Sequence, residues 1–290
     1  MKKRLVVLGA GESGVGTAIL GKKKDYEVFV SDFGKIKENY KNVLKNIEVD
    51  WEEAGHTESK ILNADIVMKS PGIPDTAPMV VKLKEAGVKI VSEIEFAFPY
   101  TQATLVGITG SNGKTTTTRL THHLLKDGGL NIALGGNIGK SFAASVAQDQ
   151  FESFALELSS FQLDGIETFR PHIAVLTNIT PDHLDRYDYD FNKYIAAKFR
   201  IVMNQTNEDF FIYDADDPVI DKWINTHQIA SNKMPFSLQK KLEKGAYIEE
   251  KNIVIKTEHK FITMPITSLQ LSGNHNLKNA MAASTVATLL

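Results

Sequence analysis

Short apolar runs recur along the chain, each closed by a glycine-rich or polar turn and followed by a stretch with helical spacing. Residues 5–8, 26–31, 64–68 and 88–91 read as strands in the first hundred positions. Residues 105–108, 131–134, 153–158, 173–179 and 210–213 follow. Several of these runs are apolar at nearly every position, as in strands covered by helices on both faces of a parallel sheet. Helices are expected from the first glycine turn to about residue 21, over 76–86 before Gly87, over 114–126 before Gly128-Gly129, over about 140–147, and to about 227. The alternation predicts an α/β chain of βαβ units with short loops. A polar stretch at 99–102 suggests a boundary, giving domains at 1–98 and 99–290. The runs at 234–236, 247–248, 253–255 and 261–262 are short and weakly alternating, and predict a small antiparallel appendage.

Two glycine turns join a strand to a helix. Gly9-Ala-Gly-Glu-Ser-Gly14 matches Gly-x-Gly-x-x-Gly, and Asp32 ends the next strand, where a dinucleotide site places an acid for a ribose hydroxyl. An NAD-dependent oxidoreductase using Gly9 to Asp32 is therefore one reading, although any anion can sit at such a turn. Gly110-Ser111-Asn112-Gly113-Lys114-Thr115 is a phosphate cradle with more chemistry. Its amides and the helix start face anionic oxygens, Lys114 can reach β/γ-phosphates, and the Thr115 hydroxyl can ligate Mg²⁺. It is shorter than the usual loop: Ile108 stands where a first glycine is expected. A third glycine turn, Gly135-Gly136-Asn137-Ile-Gly139, places Asn137 either as a donor to a ligand oxygen or as a plain turn residue.

The formal charge of −2 offers no argument for nucleic acid, and there is no cysteine for disulfides or thiolate metal sites. The first residues read as a strand rather than a signal peptide, and no apolar run approaches the roughly 18 residues of a membrane span. A cytoplasmic protein, free of membrane and nucleic acid, is expected.

Single polar residues inside apolar patterns mark the remaining candidates. Glu157 interrupts the run at 153–158, and a buried carboxylate needs a cation, a metal or an ion pair. His183 follows the strand at 173–179 in Thr180-Pro-Asp-His-Leu-Asp-Arg-Tyr187 and is either a solvated loop residue or a ligand beside Lys114, Thr115 and Glu157. Phe191, Tyr194, Ile195, Lys198, Phe199 and Val202 share one helix face. Lys198 either snorkels out of that stripe or has a partner or altered chemistry. Asp214, Asp216 and Asp217 could bind Mg²⁺ or cap a helix. Residues 272–283 open a last helix that reaches Leu290 without a stop signal, so the chain is expected to end inside an element.

Gly107-Ile-Thr-Gly-Ser-Asn-Gly-Lys-Thr, Gly136-Asn-Ile-Gly, Leu156-Glu-Leu-Ser-Ser-Phe-Gln-Leu, Thr177-Asn-Ile-Thr-Pro-Asp-His-Leu-Asp-Arg-Tyr, Lys198 with its helix, and Gly273-Asn-His-Asn-Leu-Lys-Asn-Ala together resemble the Mur ligase family. The Glu-Leu-Ser-Ser-Phe-Gln-Leu segment resembles the D-glutamate-adding branch. The resemblance implies an N-terminal Rossmann-like domain for the UDP substrate and a central P-loop-type α/β ATPase domain. The family's C-terminal, D-glutamate-binding domain is expected to be absent, leaving a monomeric fragment incompetent for ligation.

The activity implied is ATP-dependent addition of D-glutamate to UDP-N-acetylmuramoyl-L-alanine through an acyl phosphate, for peptidoglycan. Gly110, Ser111, Asn112, Gly113, Lys114, Thr115 and Thr116 would hold ATP, with Asn276 and Asn279 contacting the nucleotide. Thr115 and Glu157 would serve one Mg²⁺; His183 and a carbamylated Lys198 would serve a second. Lys114, His183 and Lys198 would be the catalytic residues. Ser13 and Gly14 would approach the pyrophosphate, Asp32 and Gly72 the uridine, and Asn137, Ser159 and Gln162 the sugar and peptide end. Phe33-Gly34 stands where some relatives have a hydroxyl residue for uracil, so that contact is expected to differ here, for instance by stacking. A non-catalytic nucleotide-binding module is the remaining reading.

Overall fold

In the computed structural model, which describes residues 2–269 and 273–290, the first apolar runs form one parallel sheet. Ser272, at the predicted start of the final helix, lies outside the described residues. The opening elements are β1 (Arg4–Leu8), α1 (Glu12–Lys23), β2 (Glu27–Ser31), α2 (Glu38–Asn46), β3 (Asp50–Glu52), α3 (Glu58–Ile61), β4 (Ile66–Lys69), α4 (Pro78–Glu85), β5 (Lys89–Val91) and α5 (Glu93–Ala97). The strand order is β3-β2-β1-β4-β5. Central β1 pairs Val6 with Phe29 on one side and Val67 on the other, and these side chains pack with Ile61, Val80 and Leu83. The Gly-x-Gly-x-x-Gly turn lets α1 start directly over β1: a Cβ on Gly14 would stand 1.9 Å from the Gly9 carbonyl oxygen. Residues 33–62, assigned no element from the sequence, form α2, β3 and α3. α2 buries only Leu44, and the other two are a strand of three residues and a helix of four.

The later elements are β6 (Thr104–Thr109), α6 (Lys114–Asp127), β7 (Ile132–Gly136), α7 (Phe142–Gln148), β8 (Ser153–Glu157), α8 (Ser160–Asp164), β9 (Ile173–Leu176), α9 (Phe191–Phe199), β10 (Phe210–Asp214), α10 (Pro218–Thr226), β11 (Asn232–Ser237), β12 (Gly245–Glu249), β13 (Asn252–Lys256), β14 (Phe261–Pro265) and α11 (Asn274–Leu289), and their strands form a second sheet. Its order is β14-β13-β12-β11-β10-β9-β6-β8-β7. The strands at the core of this sheet are buried on both faces, with Val106, Ile108, Ala155, Val175 and Ile212 packed against Met281 and Val286 of α11. The antiparallel part is narrower than the strand lengths suggested. β11 pairs in parallel with β10, and β12 in parallel with β11; only β12–β13 and β13–β14 run antiparallel. The appendage is thus the continuous edge of the main sheet. Among the described residues no helix is long and apolar enough to cross a membrane.

The two compact units do not follow a single cut in the chain. One comprises Met1–Gln102, Gly139–Phe151 and Phe161–Phe169; the other comprises Ala103–Ile138, Glu152–Ser160 and Arg170–Leu290. Two carboxylates on short α5 account for the excursions of the first unit. Glu95 is 5% exposed and accepts hydrogen bonds from the backbone N–H groups of Glu167, Thr168 and Phe169, at 2.9–3.0 Å, and from the Thr168 hydroxyl at 2.7 Å. Glu93, fully buried, accepts from the Ser141 hydroxyl at 2.5 Å and from Ala143 N–H at 3.0 Å, at the start of α7. Its Oε2 has no partner at hydrogen-bond distance among the described residues. Burial pushes the Glu93 carboxyl above the usual carboxylate range, against the pull of Ser13, Ser141 and the first amides of α7.

Glu95→Ala should therefore strand three backbone donors and cost about 2–4 kcal/mol, read as a lower urea midpoint; an unchanged midpoint would refute the clamp. Glu93 predicts a pH effect of the opposite sign to an ordinary buried ion pair. With its folded pKa raised, its contribution is present below the unfolded carboxyl pKa and is lost as pH rises through the folded value. Glu93→Gln should remove that loss, so the variant gains stability on the wild type as pH rises above the ordinary carboxyl range in urea titrations. Parallel curves would mean that Glu93 is ionised throughout.

Candidate functional site

Sequence-distant polar groups meet where β6 ends. The turn 110–113 follows β6 and leads straight into α6, whose first residue is Lys114. Gly113 caps the helix at φ +82°, a left-handed conformation that an L residue resists, and a Cβ there would meet Asn279 Oδ1 at 2.4 Å. Close packing of α11 against α6 therefore brings Asn279 against the turn. Asn279 is 5% exposed, its Oδ1 accepts from the Thr117 hydroxyl at 3.2 Å, and its amide donates to Asn276 Oδ1 at 3.5 Å.

The turn is held from behind by β9's extension. Ser111 N–H donates to the Asn178 carbonyl at 2.9 Å, and the Ser111 hydroxyl donates to the Thr180 carbonyl at 2.8 Å. The Tyr194 hydroxyl lies 3.0 Å from Ser111 Oγ. Asn178 closes a reciprocal pair, accepting Asn112 N–H and donating to the Asn112 carbonyl, both at 2.9 Å. Ser111 is thus 6% exposed and tied inward, whereas Asn112 and Thr115 are exposed and Thr116 is half-buried. Neither Asn178 nor Tyr194 is among the residues expected at the site; Asn178 lies at a strand end, and Tyr194 shares the helix stripe of Lys198.

Glu157, the last residue of β8, is 2% exposed. One carboxylate oxygen accepts from the Thr115 hydroxyl at 2.6 Å and the other from the Asn137 amide at 2.9 Å. Asn137 is held by its own N–H on the Glu157 carbonyl at 2.8 Å. The carboxylate is therefore partnered by neutral donors, not by a structural ion pair.

Lys198 does not snorkel. It is 2% exposed on α9, and its Nζ donates to the Gly110 carbonyl at 2.8 Å and lies 5.1 Å from the Tyr194 ring centre. Lys114 donates to the same Gly110 carbonyl at 2.9 Å and to the Ser111 carbonyl at 2.9 Å. Burial lowers the Lys114 pKa, opposed by the charges of Glu157 and Asp182. His183 sits on the loop after β9 in a left-handed conformation, its side chain 57% exposed and its Nε2 3.5 Å from Asp182 Oδ2. Lys114, Thr115, Glu157 and Lys198 are thus linked through one turn, and His183 lies beside Asp182, whose charge acts on Lys114.

The three carboxylates at 214–217 have structural work instead. Asp217 caps α10 through Val219 and Ile220 N–H, and Asp214 and Asp216 pair with Lys278 of α11 at 2.7 and 3.3 Å. Among the described residues no group of three His, Cys, Asp or Glu gathers as a metal cage. Any cation beside Lys114 would rely on the Thr115 hydroxyl, the Glu157 carboxylate and oxygens brought by a ligand, as suits Mg²⁺.

The first unit has its own cavity, of about 490 Å³, lined by Leu8, Gly9, Asp32, Phe33, His56, Gly72, Ile73 and Pro74 among others. It lies beyond the C-terminal ends of β1, β2 and β4, beside the switch point of the strand order, where doubly wound sheets bind ligands. Asp32 holds its turn, accepting Ala10 N–H at 2.7 Å and Gly34 N–H at 2.8 Å. Ser13 is half-buried and Gly14 buried at the start of α1. Of the residues expected at a sugar end, Ser159 is half-buried after β8 and Gln162, on α8, is 1% exposed.

Family models match both parts of the chain. The MurD N-terminal domain model matches residues 4–79, and the Mur ligase middle domain model matches residues 108–287. The chain is 63% identical over 290 residues to the UDP-N-acetylmuramoylalanine–D-glutamate ligase of Christiangramia forsetii, covering all of this chain and 65% of that protein. It is 53% identical over 287 residues to the same-named ligase of Bacteroides fragilis, covering 99% and 64%. The chain therefore spans just under two thirds of the length of these curated relatives. Among solved structures, the UDP-N-acetylmuramate:L-alanyl-gamma-D-glutamyl-meso-diaminopimelate ligase from Neisseria meningitides shares the fold at TM-score 0.68 and 19% identity, over 99% of this chain and 94% of that one. The middle-domain match alone takes in well over half of the sequence, and the chain belongs to the Mur ligase family.

Proposed function

We propose that this chain supplies the ATP site and the UDP-substrate site of a cytoplasmic, ATP-dependent ligase that joins D-glutamate to UDP-N-acetylmuramoyl-L-alanine. The observation that carries this reading is the meeting of Lys114 and Lys198 on the Gly110 carbonyl, beside the Thr115–Glu157 pair. Phosphoryl transfer asks for charge neutralisation and alignment more than covalent help. In the reaction, the alanyl carboxylate attacks the γ-phosphorus of ATP, ADP leaves, and an acyl phosphate forms. The amine of D-glutamate then attacks the acyl carbon, phosphate departs, and the amine loses its proton. Lys114 and the amides of 110–113 would hold the triphosphate, Thr115 and Glu157 would hold Mg²⁺, and Asn276 and Asn279 would face the nucleotide from α11.

Lys198 has a particular part. Sharing one carbonyl holds the two ammoniums within about 6 Å, where like charges repel by roughly 3 kcal/mol at an effective dielectric of about 20. A carbamate on Lys198 would turn that repulsion into attraction and supply oxygens for a second Mg²⁺, which His183 would complete from its exposed loop. The NAD-dependent alternative for Gly9 to Asp32 has no comparable support, since a MurD N-terminal domain model matches that stretch.

Lys114→Ala should weaken binding of Mg²⁺-ATP by about tenfold to a hundredfold in calorimetric titration, the scale of a lost charge-assisted contact in a shielded site; an unaltered isotherm would remove Lys114 from the site. After exchange with ¹³C-bicarbonate, a carbamate resonance should appear in the ¹³C spectrum and vanish in Lys198→Arg. Its absence from the unsubstituted chain at neutral pH and high bicarbonate would leave Lys198 a simple ammonium.

A further inference from the structure

The cavity of the first unit contains a histidine that no motif marks. His56 lines it together with Phe33, the two ring centres 5.8 Å apart at 46°. Phe33 is 77% exposed, so its ring face is open at the cavity rim. An exposed aromatic beside a nucleotide-sized cavity is a stacking platform that tolerates any base. Stacking therefore gives affinity and leaves the choice of base to hydrogen bonds.

The polar chain behind His56 settles what the imidazole can offer. Ser31, fully buried at the end of β2, donates its hydroxyl proton to Glu52 Oε1 at 2.7 Å. Glu52 also accepts Thr57 N–H at 2.7 Å. Burial pushes the Glu52 carboxyl up, but the bonds from Thr57 and Ser31 and the charge of Lys60 outweigh it and hold the pKa below its ordinary value. An ionised carboxylate only accepts, so the single Ser31 proton is committed to it. His56 Nδ1 lies 2.7 Å from the same Ser31 oxygen and must then be the donor. Burial also lowers the His56 pKa against the charges of Glu52 and Asp32, which favours the neutral ring. With Nδ1 protonated, Nε2 carries the lone pair.

We propose that His56 Nε2 acts as the hydrogen-bond acceptor that selects the base in this cavity, taking the imide N3–H of uracil stacked on Phe33. Cytosine presents a lone pair at N3 and is refused at that position. The inference rests on the reading that the first unit binds a uridine nucleotide, and adds the residue and the tautomer that set base specificity.

Calorimetric titration of the 290-residue chain with UDP, CDP and N3-methyl-UDP tests it. UDP should bind about tenfold or more tighter than either analogue, the cost of leaving a shielded polar group unpaired. His56→Ala should bring the three ligands within about twofold of one another while leaving CDP affinity near that of the unsubstituted chain. Phe33→Ala should weaken UDP and CDP alike, by about tenfold, keeping their ratio. Equal affinity of the unsubstituted chain for UDP and N3-methyl-UDP overturns the inference without any variant, as does a UDP preference that survives in folded His56→Ala. Either result leaves uridine-nucleotide binding standing. No saturable UDP binding by the unsubstituted chain overturns that reading and the inference together.

Discussion

The Gly110 carbonyl is the point on which the second unit's polar geometry depends. It is the first main-chain oxygen past β6, and two lysines from different helices donate to it. Parallel pairing of β6 with β8 and β9 brings Glu157 and the 177–183 loop to the same edge of the sheet, because parallel strands end together. Two ammoniums on one neutral oxygen is an unfavourable arrangement in isolation. It persists because α9 is anchored by the apolar stripe around Lys198 and because α6 grows directly from the turn that carries Lys114. The cost of holding the two charges together is offset by that packing.

The first unit solves a related problem with carboxylates. Its sheet needs segments 139–151 and 161–169, which arrive between strands of the other unit. Glu93 and Glu95, two positions apart on α5, receive the free amides at the start of α7 and at 167–169. Such amides point outward at a helix start or an irregular turn and would go unpaired when buried. A carboxylate answers several of them at once, which a neutral side chain cannot do. The cost of burying charge is thereby divided among many donors for Glu95, and only partly met for Glu93.

Both units present their candidate sites beyond the C-terminal ends of parallel strands, and in both a glycine turn clears the approach. The chemistry at the two edges differs in kind. The turn at 110–113 is crowded with cations and hydroxyls suited to phosphate and Mg²⁺. The cavity near Asp32 is mostly apolar, with Phe33 exposed and His56 positioned by a buried relay through Ser31 and Glu52. One edge offers charge and hydroxyls, and the other a largely apolar cavity.

The amino-acid sequence by itself determined most of the order of strands and helices, though not α2, β3, α3, α5 or α8, because apolar runs of strand length and glycine stops are local signals. It also determined the identity of the turn at 110–113 and set Glu157 and Lys198 apart as polar residues in apolar patterns. It could not tell a snorkelling lysine from a buried one, nor a magnesium-binding aspartate cluster from Asp214 and Asp216 paired with Lys278. Nor could it see that β11 and β12 continue the parallel sheet, that α5 clamps two later segments, or that His56 shares a relay with Ser31. Each of these is a contact between residues far apart in the chain, and spacing records only what lies within a few turns or one strand. Tertiary structure decided them, since it alone fixes which donor meets which acceptor and how much water remains between them.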